Sequence, residues 1–470
     1  MEDSWANSGL DLHLPLAGPR VRAGLETALR QAVQTGRLAP GTRLPASRAL
    51  AADLGVARNT VADAYGQLVA EGWLTARQGS GTRVAEPAAI PAAPAMPAVG
   101  PPHPAQAAPR YDLRPGLPDL SEFPRAAWLA AARRAVLAAP SEAFGYGDPR
   151  GRPELRAALA SYLARARGVR AAPDRIVICS GFAQALALLC RSLAGSGAAA
   201  MAVEAYGHRH HRDVIAANGL SPAPVPVDEG GAVIGAAGQV PGAGALLLTP
   251  AHQFPLGVSL TPSRRGQAVR WAARAGAFVI EDDYDGEFRY DRRAIASLQA
   301  LAPEHVVYAG TASKTLAPAV RLAWLVLPGR LLPDVVAAKE ACGRPGSGLD
   351  ELTLAEFIDS GGYDRHVRRS RLRYRRRRDR LTEALARAIP APGISGVAAG
   401  LHAVLALPAG VTEADVVTGA ARRGLALDGM RRFRAAGTGH PEALVLGYGT
   451  PPAHALTTAI SRLCAVLRER

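Results

Sequence analysis

Between residues 21 and 33 the apolar side chains fall at Val21, Leu25, Leu29, Ala32 and Val33, one face of a helix that Gly36 stops. The turn APGTRLP leads into a short helix over 47–54, and after Gly55–Val56 a second helix runs from Arg58 to Glu71. Val61, Tyr65 and Leu68 recur in it at helical spacing. The stretch GWLTARQGSGTRVA then predicts two short strands around a Gly-Ser-Gly tip. Two helices across a tight turn, followed by a hairpin, describe a winged helix-turn-helix. From 111 onward short apolar runs alternate with Ala-rich helical stretches, the pattern of an α/β domain.

Four apolar runs of that second region end in polar chemistry. Residues 176–179 feed Ser180, Gly181, Phe182 and Ala183 and then a long apolar helix; 277–280 end in Glu281–Asp282–Asp283–Tyr284. Residues 305–308 lead to Gly310–Thr311–Ala312–Ser313–Lys314, and 320–326 form a run with Arg321 near its start. Open α/β sheets bind ligands at such strand ends. Each feature alone is weak: an Asp after a strand is usually a turn former. Ser313–Lys314–Thr315 imitates the tail of a phosphate-binding loop without its glycine spacing, which argues against nucleotide hydrolysis.

Composition sharpens this outline. A chain of 470 residues exceeds one ordinary core. Residues 86–110 are almost wholly Pro, Ala and other small residues, an extended linker between a domain at 1–85 and another at 111–470. The net charge of +15 favours a polyanionic partner such as nucleic acid. There is neither a membrane-length apolar run nor a signal-like N-terminus, so a cytoplasmic location is expected. Cys179, Cys190, Cys342 and Cys464 stand singly without metal-ligand spacing, which predicts buried thiols and no metal centre. Of 55 basic side chains only Lys314 and Lys339 are lysine. An amine forms a Schiff base and a guanidinium does not, which singles out Lys314 at its strand end.

The segment RLPASRALAADLGVARNTVADAYGQLVAEGWLTARQGSGTRV strongly resembles the GntR-type DNA-binding domain, over nearly all of 14–84. The resemblance implies double-stranded DNA as partner. It gives Arg43 and Arg48 backbone phosphates, Arg48 alternatively a base, and sets Arg58, Asn59 and Thr60 at the start of the recognition helix. Arg58 can address guanine and Asn59 an adenine edge or phosphate. Gln78, Gly79 and Ser80 would carry the wing tip to the minor groove. Ala57 departs from the family's Ser or Thr, and loss of such a cap costs about 1 kcal/mol.

The later segments together resemble fold-type I pyridoxal-phosphate enzymes of the aminotransferase class, over almost all of 111–470. The resemblance implies an internal aldimine on Lys314, Asp282 on the pyridinium nitrogen as the ring's electron-sink partner, and Tyr284 donating to the phenolate. Thr311, Arg321 and the turn Gly181–Phe182–Ala183 would hold the phosphate. His208 stands where the family has an aromatic stacked on the ring, and Phe254 where it has an asparagine beside the phenolate. Tyr146 matches the tyrosine that one subunit of a head-to-tail homodimer lends to the other.

A GntR-type domain, a linker and a fold-type I domain in this order resemble the MocR/GabR group of bacterial regulators. Two functions follow: a regulator sensing pyridoxal phosphate, an amine or an amino acid, or a working aminotransferase with a fused DNA-binding domain. Val445 falls where such enzymes carry an α-carboxylate-binding arginine, with Arg431, Arg432 and Arg434 nearby in sequence. This favours a sensor, and within the group the PdxR-like branch, over efficient transamination. The run 364–380 holds ten arginines, either a solvated helix face or a second track for DNA phosphates.

Overall fold

The computed structural model describes residues 21–77, 81–86, 109–290, 295–343, 346–389, 393–435, 439 and 442–469. The chain divides into two compact units, Met1–Gln106 and Ala107–Arg470. Most of the expected linker, and the wing-tip residues Gln78, Gly79 and Ser80, lie outside the described residues.

In the first unit, helices α1 (Val21–Gln34), α2 (Ser47–Leu54) and α3 (Arg58–Ala70) precede strands β1 (Leu74–Arg77) and β2 (Gly81–Val84). The strands pair antiparallel, Leu74 opposite Val84. Leu25, Leu29, Leu38, Leu50, Val61, Leu68, Leu74 and Val84 close one core. Val21, expected on the inner face of α1, is exposed instead, at the first residue of the helix. Gly55 takes a left-handed conformation (φ 64°) that ends α2 and permits the tight turn into α3. Ala57 stands at the N-cap of α3 with no side-chain cap.

The second unit is built on a seven-stranded sheet. Its strands in chain order are β3 (Ile176–Cys179), β4 (Ala200–Glu204), β5 (Ser221–Val225), β6 (Ala243–Leu248), β7 (Phe278–Asp282), β8 (Val306–Thr311) and β9 (Ala323–Val326). The spatial order is β3-β9-β8-β7-β6-β4-β5. Only β9 runs antiparallel to its neighbours. The strands read as apolar runs because helices cover both faces. Val177, Leu247, Ile280 and Val307 pack with the helix α4 (Phe182–Gly195) on one face, while Ile178, Tyr308 and Trp324 face the other. A four-stranded sheet with Leu405, Leu444 and Leu446 makes a separate C-terminal core.

Two sequence expectations are corrected. The run 320–326 is strand only from Ala323: Pro318–Val320 is a 3-10 turn, and Arg321 sits at φ 55°, the one non-glycine residue at positive φ among those described. Val320 N and Arg321 N donate back to Ala317 O and Pro318 O, so these residues close the turn and the strand starts after it. Cys342 is exposed, not buried, because it lies just past the end of the helix Leu332–Ala341.

The arginine run lies on a helix, α5 (Gly362–Ala388), and its members do different things. Arg377 is buried and ion-paired to Asp119, and it donates to the carbonyls of Tyr448, Gly449 and Pro451. Arg373 pairs with Glu122, and Arg371 donates to Glu287 O. Arg365, Arg368, Arg369, Arg375, Arg376 and Arg380 are exposed. Replacing Arg377 with Met strands a buried carboxylate, which should destabilise the unit by about 3–5 kcal/mol. Denaturant unfolding followed by tryptophan fluorescence, against an Arg376→Met control near zero, checks this.

Candidate functional site

The C-terminal ends of the parallel strands open on a cavity. Its wall includes Asp282 from β7, Thr311 from β8, Glu204 from β4, and Ser313 and Lys314 from the turn after β8. Phe182, His208, Phe254 and Tyr284, all anticipated from sequence, line it as well. Tyr206, His211, Arg212 and Thr249 were not anticipated and complete much of the rest.

Charge burial sets the electrostatics. Asp282 is buried, its carboxyl makes no hydrogen bond among the described residues, and removal from water pushes its pKa well above the usual carboxylate range. Asp283, Asp285 and Glu204 push it the same way, while Lys314 opposes. Lys314 donates to Gly116 O at 2.5 Å, and burial lowers its pKa despite Asp282 and Asp285. A lowered amine pKa leaves more of the neutral, nucleophilic form near neutrality. Glu204, also buried, is pushed up to about 7 while its Oε2 accepts from Thr249 N and Oγ1 at 3.1 and 2.6 Å.

The turn at the head of α4 has a distinct construction. Gly181 (φ 138°) caps α4, and a side chain there would meet the Arg321 guanidinium at 3.3 Å. Glycine therefore lets the cation approach the backbone. The first N–H groups of α4 have no intrahelical acceptor. Ser180 N donates to Gln184 Oε1 at 2.6 Å, which fixes the turn. Arg321 is exposed, and its guanidinium has no ion pair or hydrogen bond among the described residues. Thr311 Oγ1 lies 3.0 Å from Ser313 Oγ and accepts from Ser313 N at 3.1 Å, holding the turn that carries Lys314.

The aromatic wall differs from expectation in detail. His208 lies flat on Phe254, with ring centroids 4.1 Å apart at 17°. Burial drives the pKa of His208 down to about 2 and that of His211 to about 3, so both rings are neutral. Tyr284 Oη lies 3.1 Å from both Nδ1 and O of His252, and His252 Nδ1 lies 2.8 Å from Asp285 Oδ2. The donor atoms of His252, Asp285 and His402 fall within 4.8 Å of one another. The 2.8 Å contact is a hydrogen bond, closer than two ligands of one tetrahedral zinc, about 3.3 Å apart for bonds of about 2.0 Å. His252, two residues before Phe254 in TPAHQFPLG, is the sequence signal for this network.

Tyr146 is not at this cavity in its own chain but fully exposed, in the loop near Arg152 and Lys339. Val445 is buried beside Phe254 and Phe433. Arg431 and Arg432 point elsewhere, pairing with Glu413, Glu442 and Asp428. Arg434 contributes its carbonyl to Arg212 at 3.1 Å. In the first unit, Arg43, Arg48, Arg58 and Asn59 are exposed, and Thr60 is half-buried.

A DNA-binding helix-turn-helix unit and an aminotransferase-fold unit thus share one chain. Residues 22–84 match the family "Bacterial regulatory proteins, gntR family", and 116–407 match "Aminotransferase class I and II". The chain is 33% identical over 447 residues to the HTH-type pyridoxine biosynthesis transcriptional regulator PdxR of Corynebacterium glutamicum, covering 94% of each. It is also 33% identical to the probable rhizopine catabolism regulatory protein MocR of Rhizobium meliloti (74% of each chain). To the regulator TauR of Rhodobacter capsulatus it is 35% identical, over 78% of this chain and 81% of that one. Among solved structures, an archaeal alanine:glyoxylate aminotransferase superposes with a TM-score of 0.69 at 24% identity, over 77% of this chain and 91% of that one, a likeness of fold. The chain belongs to the MocR-type GntR-family transcriptional regulators, in which a GntR DNA-binding domain is fused to an aminotransferase-like domain.

Two substitutions test the cradle. Arg321→Gln should weaken uptake of pyridoxal phosphate by about tenfold or more, the worth of a charged hydrogen bond, while barely changing that of pyridoxal. Lys314→Ala should abolish the visible absorption band. Absorbance titration with the two ligands reads both.

Proposed function

We propose that this regulator holds pyridoxal 5'-phosphate on Lys314 and reads it, or an amine that reacts with it, to control transcription. The observation that carries the reading is the Asp282 carboxyl, buried without a hydrogen-bond partner in the cavity that Lys314 lines. A protonated ring nitrogen is the partner such a carboxylate lacks. The unpaired Arg321 over Gly181 supports a phosphate at the head of α4. When bound, the cofactor supplies an aldehyde that condenses with an amine, releasing water, and a ring that withdraws electrons. The chain's own residues do the rest. Asp282 holds the ring proton; Arg321, Thr311 and the Gly181–Ala183 turn take the phosphate; His208, Phe254 and Tyr284 bound the cavity; and Lys314 supplies the amine.

Buried Val445, together with the outward pairing of Arg431 and Arg432, argues against efficient transamination of amino acids. It favours sensing, and the similarity to a regulator of pyridoxine biosynthesis makes pyridoxal phosphate itself the first effector to test. Tyr146, with exposed Phe144, Leu129 and Leu137 nearby in sequence, supports a homodimer in which each subunit completes the other's site. Arg43, Arg48, Arg58, Asn59 and Thr60, with the wing tip, would contact operator DNA in the cytoplasm. The residue boundaries 1–85 and 111–470 for the two domains are part of the same proposal.

A mobility-shift assay on DNA upstream of the protein's own gene tests the whole. The complex should form and change with pyridoxal phosphate; indifference to the ligand would refute sensing. Arg58→Ala should cost about 1–3 kcal/mol on that operator. Charge reversal at Arg368, Arg369, Arg375 and Arg376 should flatten the salt dependence by about one unit of slope per phosphate lost, and an unchanged slope removes α5 from the DNA path. Arg377 is left intact because it is structural. Uptake of pyridoxal phosphate should quicken as pH rises toward the Lys314 pKa, since the neutral amine reacts; stopped-flow absorbance checks the sign.

A further inference from the structure

On the pyridoxal phosphate reading above, on which this rests, we propose that Lys339 is a positioning residue for the ligand's phosphate. Its amine closes the free edge of β3 and fixes the strand end that presents Gly181 to Arg321. Lys339 stands out first by residue type. Of 55 basic side chains 53 are arginine, and the lysine other than Lys314 is buried, 4% exposed, in the helix Leu332–Ala341. An ammonium is a compact point donor, whereas a guanidinium is a planar fork of fixed geometry. Strand β3 is four residues long and stands at the edge of the seven-stranded sheet. Its inner side pairs antiparallel with β9, Cys179 opposite Ala323. Gly181 and Arg321 each lie two residues beyond that pair, so the register carries them toward one another.

The outer side of β3 has no neighbouring strand, and an edge leaves its N–H and C=O groups to be satisfied by other means. Ile178, buried at the penultimate position, turns both groups that way. Its N donates to Arg150 O at 2.8 Å, and its O accepts from Lys339 Nζ at 2.6 Å. Little slack surrounds this point. Arg152 N donates to Glu351 Oε2 at 2.6 Å, and a side chain at Gly151 would meet Ile178 Cγ1 at 2.5 Å and Glu351 Oε2 at 2.8 Å. Burial lowers the Lys339 pKa, and Cys179, Glu351 and Asp148 act against that. Without the amine, Ile178 O loses its one donor among the described residues. The strand end then shifts, and Gly181, three residues on, moves from its place beside Arg321. Asp282 on β7 and Lys314 after β8 belong to strands inside the sheet and are not fastened to this edge. The loss therefore falls on the phosphate and not on the ring.

Absorbance titrations of full-length Lys339→Met test this by comparing pyridoxal phosphate with pyridoxal, which has no phosphate. The ratio of the two affinities should fall by about tenfold, with pyridoxal changed less than about twofold, because a charged contact depends steeply on placement. A second readout needs no ligand. In amide hydrogen exchange of the unloaded protein, the segment 176–185 should exchange about tenfold faster while β7 and β8 stay protected. A folded variant that keeps the wild-type ratio, or unchanged exchange at 176–185, overturns the assignment. So does equal weakening of both ligands, the mark of a general loss of stability. Should methionine prevent folding, Lys339→Gln is read in its place with the same outcomes, its amide being too short to reach Ile178 O. Wild-type protein that takes up neither ligand fails the pyridoxal phosphate reading and with it the phosphate role, while the exchange rates still decide whether Lys339 holds the strand end.

Discussion

A carboxyl and an amine held out of water at the ends of neighbouring parallel strands are the constraint on which this effector unit turns. Asp282 and Lys314 each lose hydration, and each relieves part of the other's cost. The Asp282 carboxyl nevertheless has no hydrogen-bond partner among the described residues and faces the cavity. The sheet supports this cost from below. Asp283 turns away from the cavity into a buried pair with Arg167 at 2.7 Å, and Tyr308 Oη donates to it at 2.7 Å. Glu281 accepts from Leu298 N and Gln299 N. Three consecutive acids therefore leave one strand for three different environments, and only the middle one faces the cavity.

Around that pair the chain spends its unusual backbone. Arg321 sits at φ 55°, sparsely populated for a residue with a side chain, and its guanidinium reaches the one glycine, Gly181, that leaves room for it. The turn from Pro318 to Arg321 and the turn from Cys179 to Phe182 converge from different strands, bringing the Arg321 guanidinium against Gly181. Several cations elsewhere in the unit are spoken for. Arg377, Arg373, Arg167, Arg431 and Arg432 all have carboxylate partners. An arginine-rich composition thus says little about ligand binding until paired and unpaired guanidinia are separated.

Much of the fold and of the site was legible in the residues, because local chemistry wrote it. Helical spacing of Leu25, Leu29, Val61 and Leu68, and glycine at 36 and 55, set the helices of the first unit. The apolar runs before Asp282 and Thr311 had to be buried strands, and a lone lysine at a strand end in an arginine-rich chain marked the amine. Their order along the sequence placed acid, lysine and arginine at one edge of one sheet.

Other features depended on groups far apart in sequence, which no local pattern reports. The sequence could not show that His208 would lie on Phe254, since 46 residues separate them and the contact depends on how two loops meet. Nor could it divide the ten arginines of 364–380 into structural and exposed, because Asp119 and Glu122 come from the start of the unit. Arg321 read as strand because residue types predict propensity, while in the fold it is the left-handed end of the turn that begins at Pro318, with Arg321 N donating to Pro318 O at 3.2 Å. The setting of Tyr284 is of the same kind: His252 stands 32 residues earlier in the chain, and only the folded loops bring it within 3.1 Å of the tyrosine hydroxyl.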